Sequence, residues 1–544
     1  DAMTVGQNNV AIGVTALSSD VGGSRTVAIG RGALENQNMG GSDTNTHNVA
    51  VGYGAGASVT TGVQNTIVGG RAGDALTDAD YNTAIGEQAL ASDTLGSRST
   101  AIGFATLSAQ NFTTATDVYN VAIGHGTGGS ITTGTQNTLV GGLSGDALVD
   151  GAANTALGFE SLTADTKGQN NVAIGHHALS TQNFTTLTSS YNTAVGSQAG
   201  LSVTTGVNNV LVGGLAGDAL TTGEKNIAIG VNALGSDTTG GRTVAIGQGA
   251  LTTQNFTDGT TSYNVAVGYE AGASVTTGTS NTLIGGLAGD ALTTGQENTV
   301  VGRSALTAEV AGRYCTAIGN AVLTAQTNAT GTDVYNTAVG YGAGAAVTTG
   351  ANNTLIGALA GDDLQGGSLN VIVGYNNAFA APTNTQVIVL GTNVTGQTNN
   401  NFTFGAGSTD SNIAFGATTI TAPSDERYKE NIEDSTAGLS FINDLRPVTY
   451  QWKKEKDIPS DHKAYVEGSE KRVMESQGEI NHGFIAQEVK AAIDNHPELK
   501  DGFGMWSEDP VDGRQRLGDS ALIPMLVKAI QELSAEIETL KSGG

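Results

Sequence analysis

The pentapeptide N-x-A-[IV]-G recurs along most of this 544-residue chain and leaves few folds open to it. Copies stand at Asn9-Val-Ala-Ile-Gly13, Asn82-Thr-Ala-Ile-Gly86, Asn171-Val-Ala-Ile-Gly175 and Asn336-Thr-Ala-Val-Gly340. Within a block the steps between copies run 17, 17, 17 and then 21, a super-repeat of 72. Tyr119, Tyr191, Tyr263 and Tyr335 mark the longer period, with His47 one period before Tyr119. Looser copies through Val387-Ile-Val-Leu-Gly391 bring the count to about 22 coils. Self-similarity at a short fixed period is the signature of a solenoid, because one repeat cannot bury its own apolar face.

The physics of one coil is readable. Val10-Ala11-Ile12 alternates like a strand, with Val and Ile on one face and Ala on the other. The Gly that follows permits a corner that a Cβ would obstruct. A second apolar step such as Ala178-Leu179 comes next, then a turn such as Thr204-Thr205-Gly206. Stacked coils make a parallel β-solenoid, on the order of 100 Å long at a rung spacing of about 4.8 Å.

Composition divides the chain at Ser424. Residues 1–423 hold 9 Lys/Arg and 26 Asp/Glu, residues 424–544 hold 15 and 24, and 69 of the 79 glycines lie in the first part. Both parts are acidic within a net charge of −26, which excludes the basic stripe that nucleic acid requires. The single cysteine, Cys315, excludes an intrachain disulfide framework and reads as a small buried residue. No apolar run reaches the length that spans a bilayer, so no membrane insertion is expected. The chain begins at Asp1, which leaves open an anchor, an export signal or a docking module for other fibre or baseplate proteins upstream. Neither a cofactor nor a metal site is expected; His462, His482 and His496 lack metal-ligand spacing.

These N-x-A-I-G-x-x-A-L coils resemble the left-handed β-roll repeats of trimeric autotransporter adhesin heads, with longer turns, over residues 5–391. The resemblance implies a homotrimer of parallel chains, with small residues such as Ala facing the threefold axis. Every fourth turn is longer and carries aromatics: Phe112, Phe184 and Phe256 each precede Tyr119, Tyr191 and Tyr263 by seven residues. Two readings stand for them. They are protruding loops that contact a host-surface glycan or protein receptor, or rings that cap coil ends and pack between protomers. Asp74, Asp146, Asp218, Asp290 and Asp362 recur at 72 in Gly-Asp pairs, as capped turns or, in a trimer, as carboxylate rings.

Residues 392–423 read as a β neck containing Asn401-Phe-Thr-Phe404 and Asn412-Ile-Ala-Phe415. From Ser424 the pattern turns mixed α+β, with Phe441, Leu445, Val448, Tyr450 and Trp452 as an aromatic-rich core. Four stretches occur here in order. They are Ser424-Asp425…Lys429-Glu430-Asn431-Ile432, Leu445-Arg446-Pro447-Val448-Thr449-Tyr450-Gln451-Trp452, Gly483-Phe484-Ile485-Ala486-Gln487-Glu488-Val489 and Leu522 to Leu533. Together they resemble the endosialidase-type intramolecular chaperone, a Ser–Lys autoprotease family at the ends of phage tail spikes and fibres. The resemblance implies that Ser424 is the nucleophile, Lys429 its base and Pro423–Ser424 the bond cut. On residue types alone Ser424 reads first as a helix N-cap and Lys429 as a solvated surface charge, and the resemblance reverses that preference. Asp425, Arg427 and Glu430 read as structural ion pairs.

Leu526, Ile530, Leu533, Ile537 and Leu540 are spaced 4, 3, 4, 3, a heptad seam for a trimeric helix over about residues 520–541. The expected protein is a trimeric fibre or adhesin, in a virion tail fibre or on a cell surface. Its C-terminal domain sets the register of otherwise slippery coils, and self-cleavage is its only chemistry. Alternatives are a bacterial adhesin that keeps the domain as a cap, and a glycan-degrading tailspike, which needs a paired-carboxylate cleft. An ice- or ion-binding solenoid would need Thr arrays on every coil, whereas Thr is confined to particular turns.

Overall fold

In most rungs of the N-terminal unit a strand of three residues turns its middle side chain inward and its two flanking side chains outward. Ala84, Ala156, Leu211 and Ala228 are fully buried middle residues, while Val and Ile beside them stay half-exposed. The computed structural model describes residues 2–417, 419–474, 480–499, 503–509 and 513–543, apart from the Tyr428 side chain. It divides into two compact units, Asp1–Pro423 and Ser424–Gly544.

The first unit is a β-solenoid with one 24-stranded sheet, from Val10–Ile12 to Thr409–Ala414. All neighbours pair in parallel except the last strand, which folds back antiparallel on Asn401–Ala406, leaving 23 parallel rungs. Most rungs recur at a step of 17, as Val210 facing Ile227 shows, and the long coil takes a step of 21, with Val172 facing Thr193. The first long coil takes 22 (Val27 facing Val49) and the last coil only 14 (Ile388 facing Phe402). The expected end of the solenoid at residue 391 is therefore corrected: the neck motif Asn401-Phe-Thr-Phe404 is one more parallel rung. The antiparallel strand then covers the open sheet edge that a solenoid otherwise presents to other chains.

A second correction concerns Ala. The resemblance placed it toward a threefold axis, but in the fold Ala points into its own coil. The middle strand residue faces the interior whether it is Ala, Val, Ile or Leu, and the flanking Val, Ile and Thr face outward. In some coils interior volume is traded between two positions. Where the middle strand residue is Leu211 or Leu283, the second corner carries Gly217 or Gly289. Where it is Ala228 or Ala245, that corner carries buried Leu234 or Leu251. Close packing rewards this conservation of volume. The strand-ending glycine is obligatory: Gly213 has φ +135°, and a Cβ there would lie 2.5 Å from the carbonyl oxygen of Gly230.

The motif Asn forms a buried ladder. Asn209 N donates to Asn192 Oδ1 (2.9 Å), Asn209 Nδ2 donates to Gly223 O (2.9 Å), and Asn226 N donates to Asn209 Oδ1 (3.0 Å). Thus each side chain satisfies backbone groups that the corner leaves unpaired. The 72-residue period has an interior counterpart: a single column reads Val203, Leu220, Asp237, Gln254, all fully buried. Gln254 Nε2 donates to Asp237 Oδ2 (2.7 Å), and Gln254 Oε1 accepts from Asn264 Nδ2 (2.8 Å). The carboxylate also accepts from Gly240 N (3.0 Å) and Phe256 N (3.1 Å), which pins the long turn. Asp93 with Gln110 and Asp165 with Gln182 repeat the device, and Glu309 with Gln326 varies it. Cys315, 1% exposed, occupies a ladder position, and burial pushes its thiol up to about 11.

The second unit is small and α+β. Helices α1 (Leu439–Asp444), α2 (Ala486–Asn495) and α3 (Leu522–Ser542) accompany two antiparallel strand pairs, Val448–Tyr450 with Asn481–Gly483 and Trp506–Glu508 with Gln515–Leu517. Its core is Phe441, Val489, Ile493, Met505, Leu522 and Met525. Leu445 packs against this core from its edge. The expected roles of Val448, Tyr450 and Trp452 change, because all three are only half-buried and the last two meet edge-to-face at 5.4 Å. Glu532 on α3 accepts from Leu439 N (2.8 Å), capping α1 across the unit.

Candidate functional site

The first residues of the second unit form a tight local structure. Asp425 Oδ1 accepts from Arg427 N (2.9 Å) and starts the short 3-10 turn Glu426–Tyr428. Lys429 N then donates to Glu426 O (3.0 Å) and ends it. One turn is long enough to bring Lys429 back over Ser424, and Lys429 Nζ donates to Ser424 Oγ at 2.8 Å. The two residues that the sequence singled out are thus in direct contact, next to the peptide bond after Pro423. Ser424, Lys429 and Pro423 are all exposed in the single chain. Asp425 is occupied by Arg427, whose guanidinium holds that carboxyl below its ordinary range, so it serves the turn rather than the hydroxyl. Asn431 takes a left-handed backbone (φ 56°) just after Lys429, a conformation Asn tolerates.

The remaining motif residues are structural partners of one another. Gly483 pairs with Val448 across the strands, and Phe484 packs against the core. Glu488, in the first turn of α2, receives both arms of the Arg446 guanidinium, with Arg446 Nε at 3.0 Å from Oε2. This joins the second and third motif stretches, a pairing the sequence did not reveal because 42 residues separate the partners. Gln487 is exposed beside it. His496, 8% exposed, bridges Asp444 Oδ2 and Glu498 Oε1, both at 2.9 Å, beneath the Phe441 ring. Those two carboxylates push its pKa up.

On α3 only Leu522, Met525 and Ala529 are buried. The five heptad residues all face away from the unit: Leu526, Ile530, Leu533, Ile537 and Leu540 are 41–77% exposed. The second half of the helix has no cover within the unit.

In the shaft, the long-turn Phe rings are not protruding. Phe112, Phe184 and Phe256 are 5–7% exposed, held by their backbone N–H groups on the buried acids. Tyr119, Tyr191 and Tyr263 are exposed by half or more. All ten tyrosines of residues 1–423 occupy two coil positions: the residue just before the ladder position, or the one just after the corner Gly. Between these two rows lies the outward face of the sheet, a column of half-exposed Val, Ile and Thr running the length of the solenoid. Of the periodic acids, Asp146 accepts from the Thr163 hydroxyl, while Asp218 and Asp290 each keep one buried oxygen without a partner. Burial pushes both of these carboxyls up. Among the described residues no cluster of His, Cys, Asp or Glu is disposed to hold a metal, and no helix is long and apolar enough to cross a membrane.

No curated protein and no solved structure matches the chain. A chain with a long β-solenoid ahead of such a unit fits a fibre- or tailspike-type protein. The stretch 424–497, which opens on the Ser424–Lys429 contact, matches the model of the peptidase S74 family, described as chaperone of endosialidase.

Proposed function

We propose that the chain is the shaft of a homotrimeric fibre that recognises a host surface, and that residues 424–544 assemble three shafts in register and then cut themselves free. The observation that carries this reading is the 2.8 Å contact between Lys429 Nζ and Ser424 Oγ at the first residue of the family match. Two surfaces support assembly: the outward Val/Ile/Thr column of the sheet and the uncovered seam of α3. Contiguous exposed apolar faces mark sites of association. Three copies related by a threefold axis would bury both at once.

The chemistry follows from the geometry. A hydroxyl needs a base beside it to attack, and an amine serves only when unprotonated, a state that burial favours. In the single chain Lys429 is exposed and donates a hydrogen bond to Ser424. Closing three chains around the pair would remove water and reverse that donation, so cleavage waits for assembly. Ser424 Oγ then attacks the Pro423 carbonyl carbon as its proton passes to Lys429. The Pro423–Ser424 C–N bond breaks, the freed Ser424 α-amine takes that proton, and an ester joins Pro423 to Ser424 Oγ. Water hydrolyses the ester, leaving a Pro423 carboxylate and a restored Ser424 hydroxyl.

The test is intact mass and denaturing gels of wild type, Ser424→Ala and Lys429→Ala. The reading expects two fragments meeting at Pro423/Ser424 in wild type and a full-length chain in both variants. Full-length chains in all three would remove the autocleavage step and leave an assembly domain. Cleavage that persists in both variants would overturn the assigned pair.

A further inference from the structure

One cleft in the first block of coils differs from the rest of the shaft. It is open, has a volume of about 370 Å³, and lies on the row of residues that follow the corner glycines. Tyr53 forms one wall with its ring 56% exposed, and the Arg31 guanidinium lies 6.0 Å from that ring's centre. Arg71, Glu35, Asp74, Thr15 and Ser58 also line the cleft. It is open at Gly54, which carries no side chain: a Cβ there would have only the Arg71 side chain within 4 Å, at 3.9 Å. One super-repeat later the positions of Arg31, Tyr53 and Arg71 are Phe104, His125 and Leu143, so no guanidinium returns. The pair of guanidiniums therefore belongs to this block, while Asp74 and Ser58 recur in later blocks and Tyr53 returns as Tyr269 and Tyr341.

We infer that this cleft binds a neutral saccharide unit, with a pyranose face stacked on Tyr53 and its hydroxyls held between Arg31, Arg71, Glu35 and Asp74. A sugar hydroxyl both donates and accepts, and the cleft offers two guanidiniums that only donate and two carboxylates that accept. Their formal charges cancel, and the shaft around them is acidic, so an anionic sugar would meet net repulsion. The exposed phenol ring supplies an apolar platform with a polar edge, which suits a ring that is apolar on its face and hydroxylated at its rim. The inference deepens the host-surface recognition proposed above and rests on it for its biological setting, while the binding itself stands on the cleft alone.

The experiment is saturation-transfer NMR on the full chain with a panel of neutral methyl hexopyranosides, and methyl glucuronide as the acidic comparison. At least one neutral sugar is expected to bind. Tyr53→Ala and Arg71→Ala should each weaken that binding about tenfold, or about 1.4 kcal/mol. Tyr53→Phe should retain it, as should Tyr263→Ala on the other tyrosine row. Thermal melts check folding. No binding across the panel, binding of the uronate alone, or binding unchanged in both Tyr53→Ala and Arg71→Ala would overturn the inference. A chain that cleaves and assembles but binds no sugar defeats this inference alone. A monomer that still binds sugar defeats the fibre reading alone.

Discussion

Asn209 and Asp237 show how much of the shaft is decided by single side chains inside a coil. Asn209→Ala removes the acceptor for Asn226 N and the donor to Gly223 O, leaving buried backbone groups unpaired. The expected loss is about 1–3 kcal/mol for the amide left without a partner, read as a lowered denaturant midpoint. Asp237 and Asp165 are pushed up by burial, against the opposing hydrogen bonds from Gln254 and Gln182. A carboxyl raised in the fold keeps its proton where the unfolded chain has released it. Its stabilising contribution is therefore full below the ordinary Asp range near about pH 4 and is lost as pH rises through the raised value. Melting temperature should fall more steeply between about pH 4 and 7 in wild type than in an Asp165→Asn/Asp237→Asn variant; parallel curves would contradict this. The sequence displayed the Asn as a motif letter and the strand as an alternation, but not which face encloses the core. Val and Ile are the more apolar choice for an interior, so where the middle residue is Ala the alternation alone suggests the opposite face. The buried acid was hidden because an isolated Asp or Gln in a polar turn looks solvated until the coils stack.

At the scale of elements, α3 has two halves with different tasks. Leu522, Met525 and Ala529 attach it to the unit, while Leu533 and Ile537 are left 41% and 49% exposed. An Ile537→Asp substitution should leave the secondary structure of a monomer intact and weaken trimer formation, as seen by light scattering over a dilution series. Unchanged assembly would show that the seam is not the clamp. His496 offers a pH test of the same unit. Asp444 from the end of α1 and Glu498 beyond α2 hold its proton, under the ring of Phe441. Because its folded value is raised, this stabilisation is present below about pH 6.5 and is lost as pH rises through the raised value. His496→Gln should flatten that dependence. The heptad spacing was legible in the sequence because its period is local. The Arg446–Glu488 and His496–Asp444 pairings were not, since 42 and 52 residues separate the partners and nothing periodic connects them.

For the whole molecule, the change of composition at Ser424 and the division of the fold at Pro423/Ser424 fall at the same bond. Charge density announced it: residues 1–423 carry 35 charged side chains, whereas the 121 residues from Ser424 carry 39. The end of the solenoid was less legible, because its final coil is shorter than every other and loses the pentapeptide while the parallel pairing continues. The Ser–Lys pair lies within one short turn, but the resemblance and not the spacing made it a candidate; its exposure in one chain was not legible. Everything proposed for that pair depends on three chains closing over it. The most direct measurement is the native mass of the freshly expressed Ser424→Ala chain, which cannot use its own hydroxyl to cut. The account predicts a single species of three 54.7 kDa chains. A species of one such chain at micromolar concentration would contradict it.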